Sequence, residues 1–392
     1  MPKPLPNSIA ALADQIGEWR RDFHAHPELS YAEHRTAARV AELLRGFGLD
    51  TVAEGLGGTG VVGVLHGAGG PGGPAIMLRA DMDALPIAEA TGVPHASRTP
   101  GVMHACGHDG HTAMLLGAAR HLAETRNFRG TVCFCFQPAE EDGAGAHAMI
   151  RDGLFERFPV RAVYGMHNWP GLPIGHMAVT EGPVSARADS FTITLTGKGG
   201  HGAVPQDARD PLLAGAWLVA QLQTVVSRRI DPRAPAVLSI CAFQAGEAAN
   251  VIPDVARLRG TTRCYSEALA AEIHAEIARI AAGVAAAHGV RAEIAIDEAI
   301  DPPTVNDPAE ARFAHEVMRA VVGEERATFG HPPAMVGEDF AYLAREVPGA
   351  YVLLGNGDTQ PLHHPEYEFS DAGAAYGTAF WVRLAERALP AG

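Results

Sequence analysis

The secondary-structure pattern of the chain changes twice, and these two changes limit the folds that it can adopt. Up to about residue 183, helical patterns alternate with short apolar strand patterns, which is typical of an α/β domain around a mostly parallel central sheet flanked by helices. Residues 184–298 instead follow the order β-α-β-β-α-β of a ferredoxin-like α+β domain. The α/β pattern then returns. We therefore predict a discontinuous larger domain, 1–183 and 299–392, with an inserted domain at 184–298.

Periodicity and turn residues give the approximate limits of the individual elements. In the larger domain we predict helices over 8–23, 31–46, 111–124, 144–151, 307–323 and 371–388, and strands over 59–65, 75–79, 131–136, 161–166 and 350–354. In the inserted domain we predict strands over 190–197, 236–246, 255–265 and 290–300, and helices over 210–229 and 267–288.

Composition excludes several classes of protein. The chain has 392 residues, of which 47% are hydrophobic and 19% charged, which is typical of a globular protein of two domains. Its net charge is −14, and its basic residues form no cluster in the sequence. Both observations argue against a nucleic-acid partner. There is no secretory signal and no apolar run of the ~18 residues that a membrane helix needs. Five cysteines without dense spacing indicate a reducing, cytoplasmic location rather than a disulfide framework.

The densest group of chemically active side chains is the segment HACGHDGHT at 104–112. Cys106 and His108 can converge in a loop that precedes the helix predicted from residue 111. Imidazole and thiolate are common ligands of zinc and similar ions. The helix N-terminus is expected to favour the thiolate form of Cys106. The alternative is a polar turn with histidines that cap the helix or contact solvent.

A second group, QPAEED at 137–142, directly follows a predicted strand. Ligands bind beyond the carboxyl ends of the strands in open α/β sheets, which is where these acids fall. Since neighbouring side chains point apart, Glu140 and Glu141 would serve one centre in different roles, one binding metal and the other activating water. The segment alone does not say which glutamate has which role, and a solvated acidic loop is the alternative.

Three weaker signals lie at the ends of other strands. His167 follows an apolar strand, and His363 and His364 lie in the turn PLHHPEY. Asp81 and Asp83 of LRADMDALP come at one side of a strand end, where Asp83 can orient a metal-bound histidine. Each has a purely structural alternative. Together they place metal-binding side chains along one edge of the predicted sheet.

Seven segments, in this order, resemble the hippurate hydrolase and N-acyl-amino-acid amidohydrolase branch of the dinuclear aminoacylase/carboxypeptidase metallopeptidases. The resemblance extends through nearly the whole chain, and it is specific as a set although it does not separate substrates well. The segments are RADMDALP, HACGHDGHT, QPAEE, GMHNWP, GKGGHGAVP, GEDF and LHHPEY.

The resemblance implies roles for residues of the larger domain, which becomes the catalytic metal-binding domain. Glu140 is the implied catalytic base and Asp83 the orienting acid. Cys106 would hold a bridging position that a carboxylate occupies in other branches. Asp81 stands where those branches place a metal-binding histidine, which implies that the two metals bind less equally or with an altered preference. The implied metal ligands are Cys106, His108, Glu141, His167 and His363.

The resemblance also makes the inserted domain a lid and dimerisation domain. His201 would polarise the scissile carbonyl, in some relatives across a dimer, while Asn250 and Arg263 would hold the oxyanion and carboxylate of the substrate. An arginine can bind a carboxylate bidentately. A homodimer or homotetramer through this domain is therefore expected.

The function implied is cleavage of the amide bond of a small N-acyl amino acid by two divalent ions, zinc or manganese first and cobalt or nickel as alternatives. The same site would also suit a dipeptidase, an auxin-conjugate hydrolase or an aromatic aminohydrolase. A non-catalytic binding protein is a further alternative, which the complete set of candidate residues disfavours.

Overall fold

The computed structural model describes residues 7–141 and 144–391, apart from the side chains of residues 298–301. It contains two compact units. The larger unit extends to Val184 and includes Val305–Pro333 and the chain from Asp339 onward, while the smaller unit comprises Ser185–Thr304 and Ala334–Glu338. The role of the smaller unit as a lid or dimerisation domain stays a prediction.

The elements are numbered along the chain. The helices are α1 (Asn7–Ala10), α2 (Ala13–Ala25), α3 (His34–Gly46), α4 (His108–Thr125), α5 (Gly145–Arg151), α6 (Leu154–Arg157), α7 (Pro211–Arg228), α8 (Glu267–His288), α9 (Pro308–Val322), α10 (Phe340–Glu346) and α11 (Asp371–Ala388). The strands are β1 (Thr51–Leu56), β2 (Gly60–His66), β3 (Ala75–Asp81), β4 (Thr131–Gln137), β5 (Ala162–Pro170), β6 (Met177–Val179), β7 (Gly182–Pro183), β8 (Arg187–Thr196), β9 (Gly200–His201), β10 (Ala236–Ala245), β11 (Val251–Ile252), β12 (Val255–Cys264), β13 (Arg291–Asp301), β14 (Val305–Asn306), β15 (Ala327–Phe329) and β16 (Gly349–Gly357).

The larger unit is built around a sheet with the strand order β1-β2-β4-β3-β5-β16-β6-β15. Its four central strands, β4, β3, β5 and β16, run parallel, whereas β1, β2 and β6 join in antiparallel pairings. The central strands are buried along nearly their whole length, because helices cover both faces of a parallel sheet. The α/β class and the mostly parallel centre are therefore confirmed, with antiparallel strands towards the edges.

Helices α4 and α11 pack across one face of this sheet. The long helices α4 and α11 contact each other, and α2 packs on α4. Helix α4 is buried nearly all round, which explains why its apolar residues show no single amphipathic stripe. In this packing, the N-terminus of α4 lies near the carboxyl ends of the parallel strands.

The smaller unit has a four-stranded antiparallel sheet in the order β10-β12-β8-β13. Helices α7 and α8 pack together on this sheet and enclose a separate apolar core. Along β8 and β12, buried and more exposed residues alternate, as expected for a sheet with one covered face. The chain order and strand order are those of the ferredoxin-like arrangement.

Some predicted limits differ from the observed ones. The single helix predicted over 8–23 is two helices, α1 and α2, separated by a turn at residues 11–12. Helix α4 begins at His108 rather than at residue 111, because Gly107 with φ of 98° supplies the left-handed turn in front of it. The short strands β6, β7 and β15 were not predicted, since two or three residues carry no periodic signal.

None of the described helices combines the length and the apolarity needed to cross a lipid bilayer.

Candidate metal centre

The candidate centre lies where three neighbouring strands of the larger sheet end. Strand β3 pairs in parallel with both β4 and β5, so Asp81 and Gln137 end their strands side by side. Asp83, Glu140 and Glu141 follow directly, and His167 lies on β5. The start of α4 adds His108. The structure thus brings together the larger-domain site residues that the sequence singled out.

The possible ligand atoms form several overlapping groups, two of which share Cys106. Cys106, His108 and His167 form the first group, and Cys106, Glu141 and His363 form the second; within each group the ligand atoms lie within 4.8 Å of one another. The Sγ of Cys106 is 3.3 Å from Nε2 of His167. Nε2 of His363 is 3.4 Å from a carboxylate oxygen of Glu141. Cys106 is therefore the donor that these two groups have in common.

Two buried atoms of these groups indicate that the residues fit divalent cations. Nε2 of His108 and Oε1 of Glu141 have no hydrogen-bond partner within the described part of the chain. A buried polar atom without a partner costs about 1–3 kcal/mol, so it normally indicates a ligand or an ordered water. Thiolate, imidazole and carboxylate together are the donors that zinc and related ions prefer.

Electrostatics within the polypeptide oppose one expectation from the sequence. Burial raises the pKa of the Cys106 thiol well above its ordinary value, and the carboxylates of Glu141 and Glu140 raise it further. The prediction that the start of helix α4 favours the thiolate is therefore wrong for the polypeptide alone, because desolvation and like charge outweigh the helix dipole. A nearby divalent cation reverses this balance.

The same charges act on the neighbouring ligands. Burial lowers the pKa of His108, but Asp81 and Asp83 more than compensate and raise it to about 10. Burial raises the pKa of Glu141 to about 7 although His108 opposes this shift. Protons and metal ions thus compete for the same buried atoms, and metal binding would release protons.

Asp83 contacts His108, one of the candidate ligands. Nδ1 of His108 is 2.9 Å from the backbone oxygen of Asp83 and 3.3 Å from its carboxylate. This arrangement directs Nε2 of His108 towards the other ligands. The other carboxylate oxygen of Asp83 accepts hydrogen bonds from the Ser30 hydroxyl (3.0 Å) and the Glu141 N–H (2.9 Å).

Asp81 is held by other protein groups. One carboxylate oxygen lies 2.6 Å from Nδ1 of His111, and the other accepts a hydrogen bond from Arg79 (2.7 Å). Arg79 in turn donates to Gln137 and Asp339. Asp81 is thus hydrogen-bonded to His111 and Arg79, and it lies 3.9 Å from Nε2 of His108, so that Asp81, His108 and His111 form a further group of possible ligands.

Sequence reasoning missed the two residues that complete this network, His111 and Asn168. The Asn168 side chain lies 2.7 Å from Nε2 of His111 and donates to Tyr367 (2.5 Å). Its backbone oxygen is 2.6 Å from Nδ1 of His167, which fixes the orientation of that ring. His111 carried a signal, since it lies three residues after His108 on the same helix, whereas Asn168 carried none beyond its neighbour.

The three candidates in the inserted segment belong to the smaller unit. His201 and Asn250 are exposed neighbours: β9 pairs with β11, and the Gly202 N–H donates to the Asn250 backbone oxygen (2.8 Å). Arg263 is half-buried on β12, where its Nη1 donates to the backbone oxygen of Thr262 (2.9 Å) and to the Thr261 hydroxyl.

Comparison with known proteins identifies the family. The sequence profile described as Peptidase family M20/M25/M40 matches residues 77–387. The chain belongs to this family. The hippurate hydrolase of Campylobacter jejuni is 41% identical over 98% of this chain and 100% of its own length. The N-acyl-L-amino acid amidohydrolase of Geobacillus stearothermophilus is 42% identical over 80% of this chain and 85% of its own length.

A solved structure agrees with this assignment. The Bacillus subtilis YXEP protein, described as a dinuclear metal binding peptidase from the M20 family, matches with a TM-score of 0.85 and 35% identity over 97% of this chain and 99% of that chain. This M20/M25/M40 family member is accordingly a hydrolase, and its clustered donors are suited to divalent metal ions.

Proposed function

We propose that this M20/M25/M40 peptidase is a metal-dependent amidohydrolase that cleaves N-acyl amino acids into a carboxylic acid and a free amino acid. The observation that carries the proposal is the pair of donor groups that share Cys106, with Glu140 beside them. The relatives named hippurate hydrolase and N-acyl-L-amino acid amidohydrolase support this substrate class. Two divalent cations, when bound, supply Lewis-acid polarisation of the scissile carbonyl and lower the pKa of the attacking water.

Contacts favour different roles for the two adjacent glutamates. Glu141 shares a donor group with Cys106 and His363, which suits a metal ligand. Both carboxylates lie 3.8 Å from Nε2 of His108, but the nearly buried Glu140 belongs to neither of the two donor groups that contain Cys106. We assign Glu140 as the general base that takes a proton from the attacking water and passes it to the leaving amine nitrogen. The implied ligands are Cys106, His108, Glu141, His167 and His363.

Residues of the smaller unit are proposed to recognise the substrate. The exposed and adjacent His201 and Asn250 offer polar atoms for the carbonyl oxygen as negative charge develops on it. Arg263 makes its described hydrogen bonds through Nη1, and the guanidinium has further N–H donors that can bind a free carboxylate. Loss of this clamp should mainly raise KM.

The types of donor atom also suggest which divalent ions the site prefers. A cysteine sulfur among imidazole and carboxylate ligands suits zinc, and the carboxylate of Glu141 also accommodates manganese. We propose zinc or manganese as the working ions, with cobalt and nickel as replacements.

A second copy of this chain is the proposed partner of the smaller unit. Helix α7 exposes Leu213 (48%) and Trp217 (54%), and β10 is an edge strand of its sheet. Phe243 of β10 packs closely against α7. A Cβ added to Gly215 of α7 would lie only 2.6 Å from the Phe243 ring. An apolar helix face beside an open strand edge is self-complementary about a two-fold axis, which supports a homodimer.

The deciding experiment is hydrolysis of hippurate and N-acetyl-methionine by purified protein after chelation and after addition of zinc, manganese, cobalt or nickel. We expect release of free amino acid only after metal is restored. A protein that binds metal but releases no amino acid from either compound would contradict the proposed substrate class.

A further inference from the structure

Glu33 is a buried carboxylate that lies behind the turn carrying the proposed base. It immediately precedes helix α3, and its side chain is inaccessible to solvent (0%). One carboxylate oxygen accepts the Thr59 hydroxyl at 2.6 Å, and the other accepts the Ala139 N–H at 2.8 Å. The second contact joins residues that are 106 positions apart and ends next to Glu140.

The turn that Glu33 contacts has an unusual backbone. Ala139 has φ of 49°, a left-handed conformation that costs a residue with a Cβ roughly 1 kcal/mol or more. Such a conformation persists when surrounding contacts impose it. The N–H groups of Glu140 and Glu141 donate to Asp83. Two carboxylates, Glu33 and Asp83, therefore hold three successive N–H groups of this turn.

The chemistry of Glu33 is poorly suited to a purely stabilising role. Burial raises the pKa of this carboxyl, and the hydrogen bonds from Thr59 and Ala139 oppose that shift. Its described hydrogen-bond donors are neutral, and a buried carboxylate with neutral donors retains much of its desolvation penalty. What the contact does supply is a fixed direction for the Ala139 peptide, and hence for the Glu140 side chain that follows it.

We propose that Glu33 is a positioning residue for amide hydrolysis, holding Ala139 in its left-handed conformation so that the Glu140 carboxylate faces the attacking water. This inference rests on the proposed function of Glu140 as general base. Asp83 still accepts the N–H of the candidate ligand Glu141 when Glu33 is lost, so loss of Glu33 should affect proton transfer more than metal binding.

The test compares Glu33→Ala, Glu33→Asp and Glu33→Gln in the full-length, metal-loaded protein with hippurate as the probe. Alanine removes the acceptor, and aspartate withdraws it by one methylene. Both should lower kcat by about 10²-fold with KM and metal content nearly unchanged, since a small misplacement of a catalytic group has this effect. Glutamine keeps an acceptor for Ala139 and should restore kcat to within about tenfold of wild type.

Hydrogen exchange at the Ala139 amide supplies a readout that does not depend on turnover. Exchange should be slow in wild type and Glu33→Gln, and faster in Glu33→Ala and Glu33→Asp. Thr59→Val is the matched control, because it removes the other hydrogen bond of Glu33 and should leave both kcat and Ala139 exchange close to wild type.

Three results would overturn the inference: an unchanged kcat in Glu33→Ala, faster Ala139 exchange without loss of kcat, or losses of kcat that simply follow thermal stability across the set including Thr59→Val. If Glu33→Ala does not fold, Glu33→Asp against Glu33→Gln decides. Inactivity of the wild type itself would count against the proposed function, while hydrogen exchange would still decide whether Glu33 holds the turn.

Discussion

Glu140 and Glu141 are neighbours in sequence with different surroundings, and substitution should separate their roles. Glu140→Gln removes a proton acceptor while keeping the shape of the side chain. We expect kcat for hippurate to fall by about 10²–10⁴-fold, the usual contribution of general acid–base catalysis, with two metal equivalents retained. Metal content is measured by mass spectrometry of the metals after gel filtration.

Glu141→Gln is the matched control for this prediction. It replaces a candidate ligand, so metal content should fall together with kcat. Near-wild-type turnover of Glu140→Gln, or loss of metal from Glu140→Gln alone, would reverse or remove the assigned roles.

His24 makes stability depend on pH. It is buried between Asp109 (2.9 Å) and Glu89 (3.2 Å). Burial lowers its pKa, but these two partners outweigh burial and raise it to about 9 from an ordinary 6.5. Since the folded pKa is the higher one, the stabilisation is complete below pH ~6.5 and is lost as pH rises towards 9. The shift corresponds to about 3 kcal/mol of unfolding free energy.

Urea unfolding of metal-loaded protein at several pH values between 6 and ~9.5 measures this effect. His24→Asn should be less stable at pH 6 and lose much less stability with rising pH than wild type. His26→Asn, two residues away and partly exposed, is the control and should keep the wild-type slope. Parallel slopes for wild type and His24→Asn would refute the prediction.

At the scale of elements, the junction before helix α4 depends on the absence of a side chain at Gly107. Its φ is 98°, and a Cβ there would lie 2.2 Å from a side-chain oxygen of Asn168. Gly107→Ala should displace the Asn168 side chain from His111, reducing stability by roughly 1–3 kcal/mol beyond backbone strain and lowering metal affinity.

Gly101→Ala isolates the backbone contribution. Gly101 also has a positive φ, of 76°, but open space surrounds its Cβ position. Thermal unfolding and zinc titration of both variants make the comparison. Equal losses of stability, with unchanged zinc affinity in Gly107→Ala, would show that Asn168 does not transmit the change.

The elements that the sequence predicted well are those with a long apolar period or a clear stop. Helix α8 was predicted at its observed limits because Ser266 caps its start and Gly289 its end. Strand β1 was missed because it is a largely exposed edge strand without apolar alternation. Local pattern therefore identifies the main elements, whereas the sheet order decides which of them become neighbours.

The same distinction applies to the candidate centre. Cys106, Glu141 and His167 were identifiable because their chemistry is visible in short segments, before a helix for Cys106 and at the ends of strands for the other two. Glu33 and Asn168 were not, since their importance comes from contacts across 106 and 57 positions, which no local pattern encodes. The helix-terminus argument for Cys106 failed for the polypeptide alone for a related reason: it considered one element and omitted the burial of the thiol and the carboxylates that the fold places beside it.

At the scale of the whole molecule, the strongest prediction concerns association through the smaller unit. A monomer would leave Leu213 and Trp217 of α7 exposed beside the open edge of β10. The combined change Leu213→Asp and Trp217→Asp places two charges on this apolar face. Because burying an unpaired charge is costly, the variant should be monomeric where the wild type is dimeric. Multi-angle light scattering after gel filtration measures the mass directly.

The larger unit provides a matched control in Ile174, which is 39% exposed and also apolar. Ile174→Asp should leave the wild-type mass unchanged, because a scattered exposed apolar residue is ordinary in a soluble surface. The kcat of the monomeric α7 variant extends the test. If His201 acts across the dimer, this variant loses kcat while retaining metal. If His201 acts within its own chain, kcat survives dissociation. A wild type of monomeric mass at micromolar concentration would refute the proposed dimer and require each chain to hold a complete site.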